Sequence, residues 1–255
     1  MLRPALCVAT VLAISGAASA QTLFSTSWEA PQWTLGNIPG QNGFDLFPGT
    51  AAAAHQVVGA TTVGSQTVTP ATGSQMHQSS VLSGFSYAWP DLTAAWAART
   101  AGNDVAWSSF NIFLPSTSTS TSWHGIRAFN AAGSLLGGLQ FRNSDGASII
   151  TNASGQNFLL GLSIPRGQWV SVAMGLDFVS GRISYNVNGS VFVSVLATTV
   201  GAALGDVDLV SVASGASAAG GVAFTDDFRV AAIPAPGAAA LMGIGGLLCV
   251  RRRRA

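Results

Sequence analysis

Between Gln21 and Ala232 no hydrophobic period of 3.6 is sustained; β-branched and aromatic residues come instead in short runs that alternate with polar ones and stop at glycine-bearing turns. "VAWSSFNIFLP" (Val105 to Pro115) alternates over part of its length and ends in proline. "HGIRAFN", "SLLGGLQFRN" and "ASIITN" follow it, parted by "NAAG" and "NSDG", whose Asn, Asp and Gly suit tight turns. The whole segment is expected to be one meander. In "QWVSVAMGLDFVSGRISYNVNGSVFVSV" Trp169, Ser171 and Ala173 alternate with Val170, Val172 and Met174, and "DFVSG" and Asn188-Gly189 predict two hairpin turns. "VAFTDDFRVAAI" predicts a last strand, while "STSTSTS" (Ser116 to Ser122) and "TAAAAHQ" (Thr50 to Gln56) read as loops or edges. Many short strands in one chain of this length predict an all-β fold, an antiparallel β-sandwich or jelly roll with two packed sheets.

The two ends obey a different pattern. "MLRPALCVATVLAISGAASAQ" offers Arg3, an apolar stretch of about ten residues and the small-residue sequence Ala18-Ser19-Ala20, which predicts a secretory signal helix over residues 1–20. A membrane span needs roughly 20 apolar residues, twice what is present. At the other end, 233–255, Gly237 to Val250 would form a helix of roughly 21 Å against a hydrocarbon core of about 30 Å. Pro234 and Pro236 precede it, and Arg251, Arg252, Arg253 and Arg254 follow, which would hold the end on the cytoplasmic side. This hydrophobic C-terminal helix is a marginal span, suited to a temporary stop during export.

Composition sharpens the picture of the 21–232 body. Lysine is absent, 8% of residues are charged, and six arginines there face ten carboxylates, a net charge of −4. No basic stripe exists for a phosphate backbone, so no nucleic-acid partner is expected. Both cysteines, Cys7 and Cys249, lie in the terminal segments, which excludes disulfides and cysteine zinc sites from the body.

The ending, Pro234-Ala235-Pro236-Gly237 with its apolar run and arginine cluster, resembles a PEP-CTERM sorting signal. That resemblance implies an exported bacterial protein, export machinery and an exosortase as partners, and delivery to the cell envelope or an extracellular matrix, with transient membrane association. Ala235 stands where the family has glutamate. An uncleaved C-terminal anchor is the alternative. "GQWVSVAMGLDFVSGRISYNVNG", with "HGIRAFNAAGSLLGG" before it, resembles the concanavalin A-like, laminin-G-like jelly roll, and "SWEAPQWTLGNIPGQNGF" and "FTDDFRVAAIPAPG" resemble the first and last strands of sandwich proteins carrying this signal. Since such strands lie side by side, the resemblance places Glu29 near Asp226 or Asp227, oxygen ligands for a structural Ca²⁺. The alternative is that these carboxylates end strands or pair with Arg229 or Arg182.

Catalytic chemistry is sparse. Glu29 is the one glutamate, so a two-carboxylate glycosidase would need aspartates. Asp206 and Asp208 could share a strand face, whereas Asp226 and Asp227 should point to opposite faces. His55, His77 and His124 have no metal-ligand spacing and read as surface or loop residues. Of seven tryptophans, Trp107 and Trp169 are expected in the core, while Trp89, Trp96 and Trp123 are expected to be exposed in loops, where indole faces could stack on sugars. Three functions follow: a non-catalytic structural component of the envelope or matrix, a carbohydrate-binding module for extracellular polysaccharide, or a hydrolase on a lectin-like fold.

Overall fold

A computed structural model describes residues 19–235 apart from 83 and 214–219, and for 191–196 the backbone alone. The predicted signal helix, the C-terminal helix, Pro236, Gly237 and Arg251 to Arg254 lie outside the described residues. In chain order the strands are β1 (Gln21–Thr26), β2 (Gly36–Asn37), β3 (Phe44–Leu46), β4 (His55–Val58), β5 (Thr61–Val63), β6 (Gln66–Val68), β7 (Met76–Ser80) and β8 (Phe85–Pro90). After the short helix α1 (Thr93–Ala97) come β9 (Val105–Phe113), β10 (Trp123–Phe129), β11 (Leu135–Arg142), β12 (Ala147–Thr151), β13 (Asn157–Ser163) and β14 (Trp169–Asp177). β15 (Arg182–Val187), β16 (Ser190–Ala197), β17 (Asp206–Val212) and β18 (Val222–Ile233) complete the series.

These strands form an antiparallel sandwich. One sheet runs β16-β15-β14-β9-β18-β7-β4-β2, with β1 also paired to β18; the other runs β13-β12-β11-β10-β17-β8-β3. The predicted meander is thus divided: β10 to β13 form one, but β9 belongs to the opposite sheet. Both hairpins form, and Asn188 and Gly189 take φ of 49° and 82°, the paired left-handed conformations that a two-residue turn requires.

Alternation builds the core. Val170, Val172, Met174 and Leu176 of β14 point inward to meet Ile126, Leu139, Ile150 and Leu209 from the other sheet. Each such burial contributes about 1.5–3 kcal/mol. Trp28 and Trp33 lie at one end of this core, their rings 4.6 Å apart. Trp107 is not with them; it is half-buried on an outward position of β9. Trp169 also points outward, packing 5.5 Å from Phe113 in a satellite cluster with Val68, Met76 and Phe224. Its indole N–H donates to the Thr69 carbonyl at 2.9 Å.

The two ends of the sandwich meet at one turn. Asn103 donates to the Ser19 carbonyl at 2.8 Å, the Thr100 amide donates to the Gln21 side chain, and the buried Ala235 donates its N–H to Gly102.

Candidate functional site

The outer face of the seven-stranded sheet carries the chemistry. On β8 the period of two turns Ala88 into the core and leaves Phe85, Tyr87 and Trp89 outside. On β17 it buries Val207 and Leu209 and sets Asp206 and Asp208 on that same outer face; across β10, Phe129 and Arg127 stand opposite Asp206 and Asp208. With Phe47 and the turn glycine Gly133 these side chains enclose a hollow of about 290 Å³, lined by Phe47, Phe85, Tyr87, Trp89, Phe129, Asp206 and Asp208. Phe47, Phe85 and Tyr87 pack edge to face with centroids 5.4–5.9 Å apart, yet Phe47 and Phe85 remain 44% and 50% exposed. Large aromatics left open together mark a contact surface rather than a core.

The acid pair at the base of the hollow is strongly perturbed. The two carboxyls are hydrogen-bonded to each other. Burial, with the Asp91 charge nearby, pushes Asp206 up to about 6; burial and the Asp206 charge hold Asp208 well above the usual carboxylate range, against the pull of Arg127. One oxygen of each, Oδ1, is buried with no hydrogen-bond partner. Arg127 is tied down beside them, its Nη1 donating to the Tyr87 hydroxyl at 2.8 Å and its Nε to Gln140 at 3.1 Å.

Beyond that bond lies a second hollow of about 330 Å³, lined by Trp123, Arg127, Gln140, Arg142, Ile149, Asn157 and Leu159. Trp123 carries the Arg142 guanidinium 5.4 Å from its ring centre, and Arg142 is itself paired with Asp145. Two of the three tryptophans expected to be exposed therefore reach this face, although each sits on a strand and is half-buried. The third is a correction. Trp96 is 2% exposed, because α1 turns it inward against Phe178 at 5.3 Å and under the Arg99 guanidinium at 4.2 Å.

The histidines also depart from expectation. β4, β7 and β10 direct His55, His77 and His124 into the space between the sheets, where all three are buried. His55 Nδ1 lies 3.0 Å from His77 Nε2, and His55 Nε2 lies 3.1 Å from the Ser86 hydroxyl, which contacts Ser211 at 2.5 Å. His124 bridges Ser79 and Ser122, both at 2.9 Å. Burial lowers His55 and His124 to about 3 and holds His77 well below its ordinary value, so all three are neutral at physiological pH. With no opening to solvent they brace the core rather than act on a substrate.

β1 does pair with β18, as the resemblance implied, and brings Glu29 to the same loop as the paired aspartates. Glu29 accepts hydrogen bonds from the Ser74 amide and hydroxyl and from the Gln75 amide, at 2.8–2.9 Å. Burial works against its ionisation, but those three donors win and hold its pKa below the ordinary value. A bulge in β18, with Asp227 at φ 51°, overturns the expectation of opposite faces: Asp226 accepts from the Thr72 amide and Asp227 from the Thr72 hydroxyl, both at 3.0 Å. Burial pushes Asp226 up to about 6, against the Thr72 and Asp227 amides. Their partners are the loop and Asn111, not Arg229 or Arg182. These carboxylates fasten the loop of residues 72–75. Among the described residues no three His, Cys, Asp or Glu side chains are grouped so that they could hold a metal ion.

Of the hollow's lining, the sequence reading missed Phe47, Phe85, Tyr87 and Phe129, and it missed Arg127 beside it. "FSYAWP", with aromatics at every second position, carried the signal for β8.

No family model matches this chain, and no curated protein does. Solved structures do match its fold. "Cellulose induced protein, Cip1" superposes with a TM-score of 0.57 at 13% identity, covering 83% of this chain and 98% of that one. The CBM2 module of the Lactobacillus casei BL23 phage J-1 evolved Dit gives a TM-score of 0.53 at 9% identity, covering 85% and 97%. A sialidase matches over 82% of this chain, which spans 18% of its length, with a TM-score of 0.49 and 7% identity. At these identities the likeness is one of fold.

Proposed function

We propose that this chain is a carbohydrate-binding β-sandwich of the jelly-roll, concanavalin A-like kind, which holds polysaccharide on the outer face of the seven-stranded sheet without catalysing a reaction on it. The observation that carries the reading is the aromatic hollow of about 290 Å³, with partly open rings beside the carboxyls of Asp206 and Asp208. The apolar face of a pyranose ring fits against Trp89 or Tyr87. Its hydroxyls can donate to the carboxyls that line the hollow. Trp123, with Gln140 and Asn157, offers a second contact further along the face, as an extended chain requires.

The fold likeness to the CBM2 module supports this reading. A glycosidase pair would need its two carboxyls about 5 Å or more apart so that substrate lies between them, whereas Asp206 and Asp208 are hydrogen-bonded to each other. The signal-like start and the PEP-CTERM-like end support export and placement in the cell envelope or matrix, with export machinery and an exosortase as partners. Among the described residues no helix is long and apolar enough to cross a membrane, and the terminal apolar runs fall outside that set.

A glycan array probed with the protein, with Trp89→Ala and with Trp123→Ala tests the proposal. Binding to at least one polysaccharide that Trp89→Ala abolishes is expected. No binding to any glycan, or binding indifferent to both changes, rejects it.

A further inference from the structure

The acid pair asks for more than a hydroxyl. Asp208 is 5% exposed, and it lines the hollow together with the half-buried Asp206. Asp91, bridged to Asp206 across the strands, adds a third carboxylate, which the Thr93 amide and hydroxyl keep below the ordinary range and therefore ionised. Arg127 on β10 faces the pair, but its Nε and Nη1 are committed to Gln140 and Tyr87. Negative charge thus sits beside the rings of Tyr87, Trp89 and Phe129, with Arg127 as a neighbouring cation outside the hollow's lining.

Resting on the carbohydrate reading, we propose that this hollow takes a positively charged amino sugar, its ammonium seated between the Asp206–Asp208 pair and the faces of the surrounding aromatic rings. A neutral hydroxyl would hydrogen-bond the carboxyls without offsetting their charge, and an anionic sugar would be repelled. An ammonium does three things at once. It donates to the carboxyls that line the hollow, neutralises the pair as it ionises, and meets the negative faces of aromatic rings, the arrangement by which aromatic cages hold organic cations. Binding then depends on the carboxyls being ionised. The groups that set this are Asp206, Asp208 and Asp91 on one side and Arg127 on the other, with the Tyr87 hydroxyl as a neutral neighbour.

Isothermal titration of the full chain with a glucosamine tetramer, its fully N-acetylated counterpart and choline tests this. The tetramer is expected to bind about tenfold or more tighter than the acetylated form and than choline, which has the cation without the ring. An Asp206→Asn/Asp208→Asn double variant that melts at the parent temperature should lose that preference. Equal affinity for free and acetylated tetramers, choline binding as tightly as the tetramer, or a preference untouched in the double variant would overturn the inference. Should a neutral glycan then still bind and depend on Trp89, the carbohydrate reading stands by itself; if no sugar binds, both fall.

Discussion

Replacing His124 by Asn removes one titratable ring from between the sheets while leaving a polar side chain beside Ser79. Burial lowers His124 to about 3 in the folded protein, whereas an exposed histidine of the unfolded chain titrates near 6.5. Between those values the unfolded chain binds a proton that the folded chain refuses, so this contribution to stability is present above the unfolded pKa and is lost as pH falls. The loss is ~1.4 kcal/mol per pH unit, or about 3 kcal/mol between pH 7.5 and pH 4.5. Asp206 and Asp226 work in the opposite sense: with folded pKa values of about 6, they add stability on acidification. The parent's pH curve alone therefore mixes two effects, but the difference between parent and variant isolates the histidine. Urea unfolding followed by tryptophan fluorescence at several pH values gives both free energies. His124→Asn should be the less stable protein at pH 7.5, and its deficit should shrink by about 3 kcal/mol at pH 4.5 with an unchanged m-value. A deficit constant over that range would refute the claim that His124 is held neutral in the core.

Other substitutions separate framework from binding face. Trp96→Ala should cost about 3–5 kcal/mol of stability while leaving any glycan affinity intact, the reverse of Trp89→Ala; comparable binding losses from both would contradict the assignment of Trp96 to the core. Glu29→Ala takes the acceptor from the Ser74 and Gln75 amides, so about 0.5–1.5 kcal/mol of destabilisation is expected, and faster hydrogen exchange at those two amides should accompany it. In the middle of β10, Gly125→Ala would place a Cβ 2.2 Å from the Leu139 carbonyl oxygen at a φ of 156°. A lower melting temperature and loss of glycan binding should follow, and a fully folded, binding-competent variant would show that the two strands are not so closely paired.

Local pattern in the sequence revealed the framework from Val105 onward: the strands of the β14–β16 hairpins, the Asn188-Gly189 turn and the whole of β18 stand where alternation and turn chemistry put them. The earlier third was harder to read. β2 to β7 run for two to five residues each, too short for a period to declare itself, and β8 was taken for a loop despite its three alternating aromatics. Which face a strand presents was also hidden. Trp107 and Trp169 look like core residues by type, but their neighbours Ala106 and Val170 occupy the interior. The gathering of His55, His77 and His124 depends on β4 and β7 facing β10 across the sandwich, a pairing that no local window contains. The Asp206 and Asp208 spacing was visible, but its significance came from Phe47, Phe85 and Tyr87, which arrive from β8 and the chain after β3.

Where a saccharide touches the protein is the most direct question. Backbone amide shifts recorded by NMR during titration with a glycan that binds should move at Tyr87 to Trp89, Phe129 and Asp206 to Asp208, with smaller changes around Trp123. Shifts confined to the β14–β15–β16 sheet, or to residues 72–75, would contradict a binding face on the seven-stranded sheet.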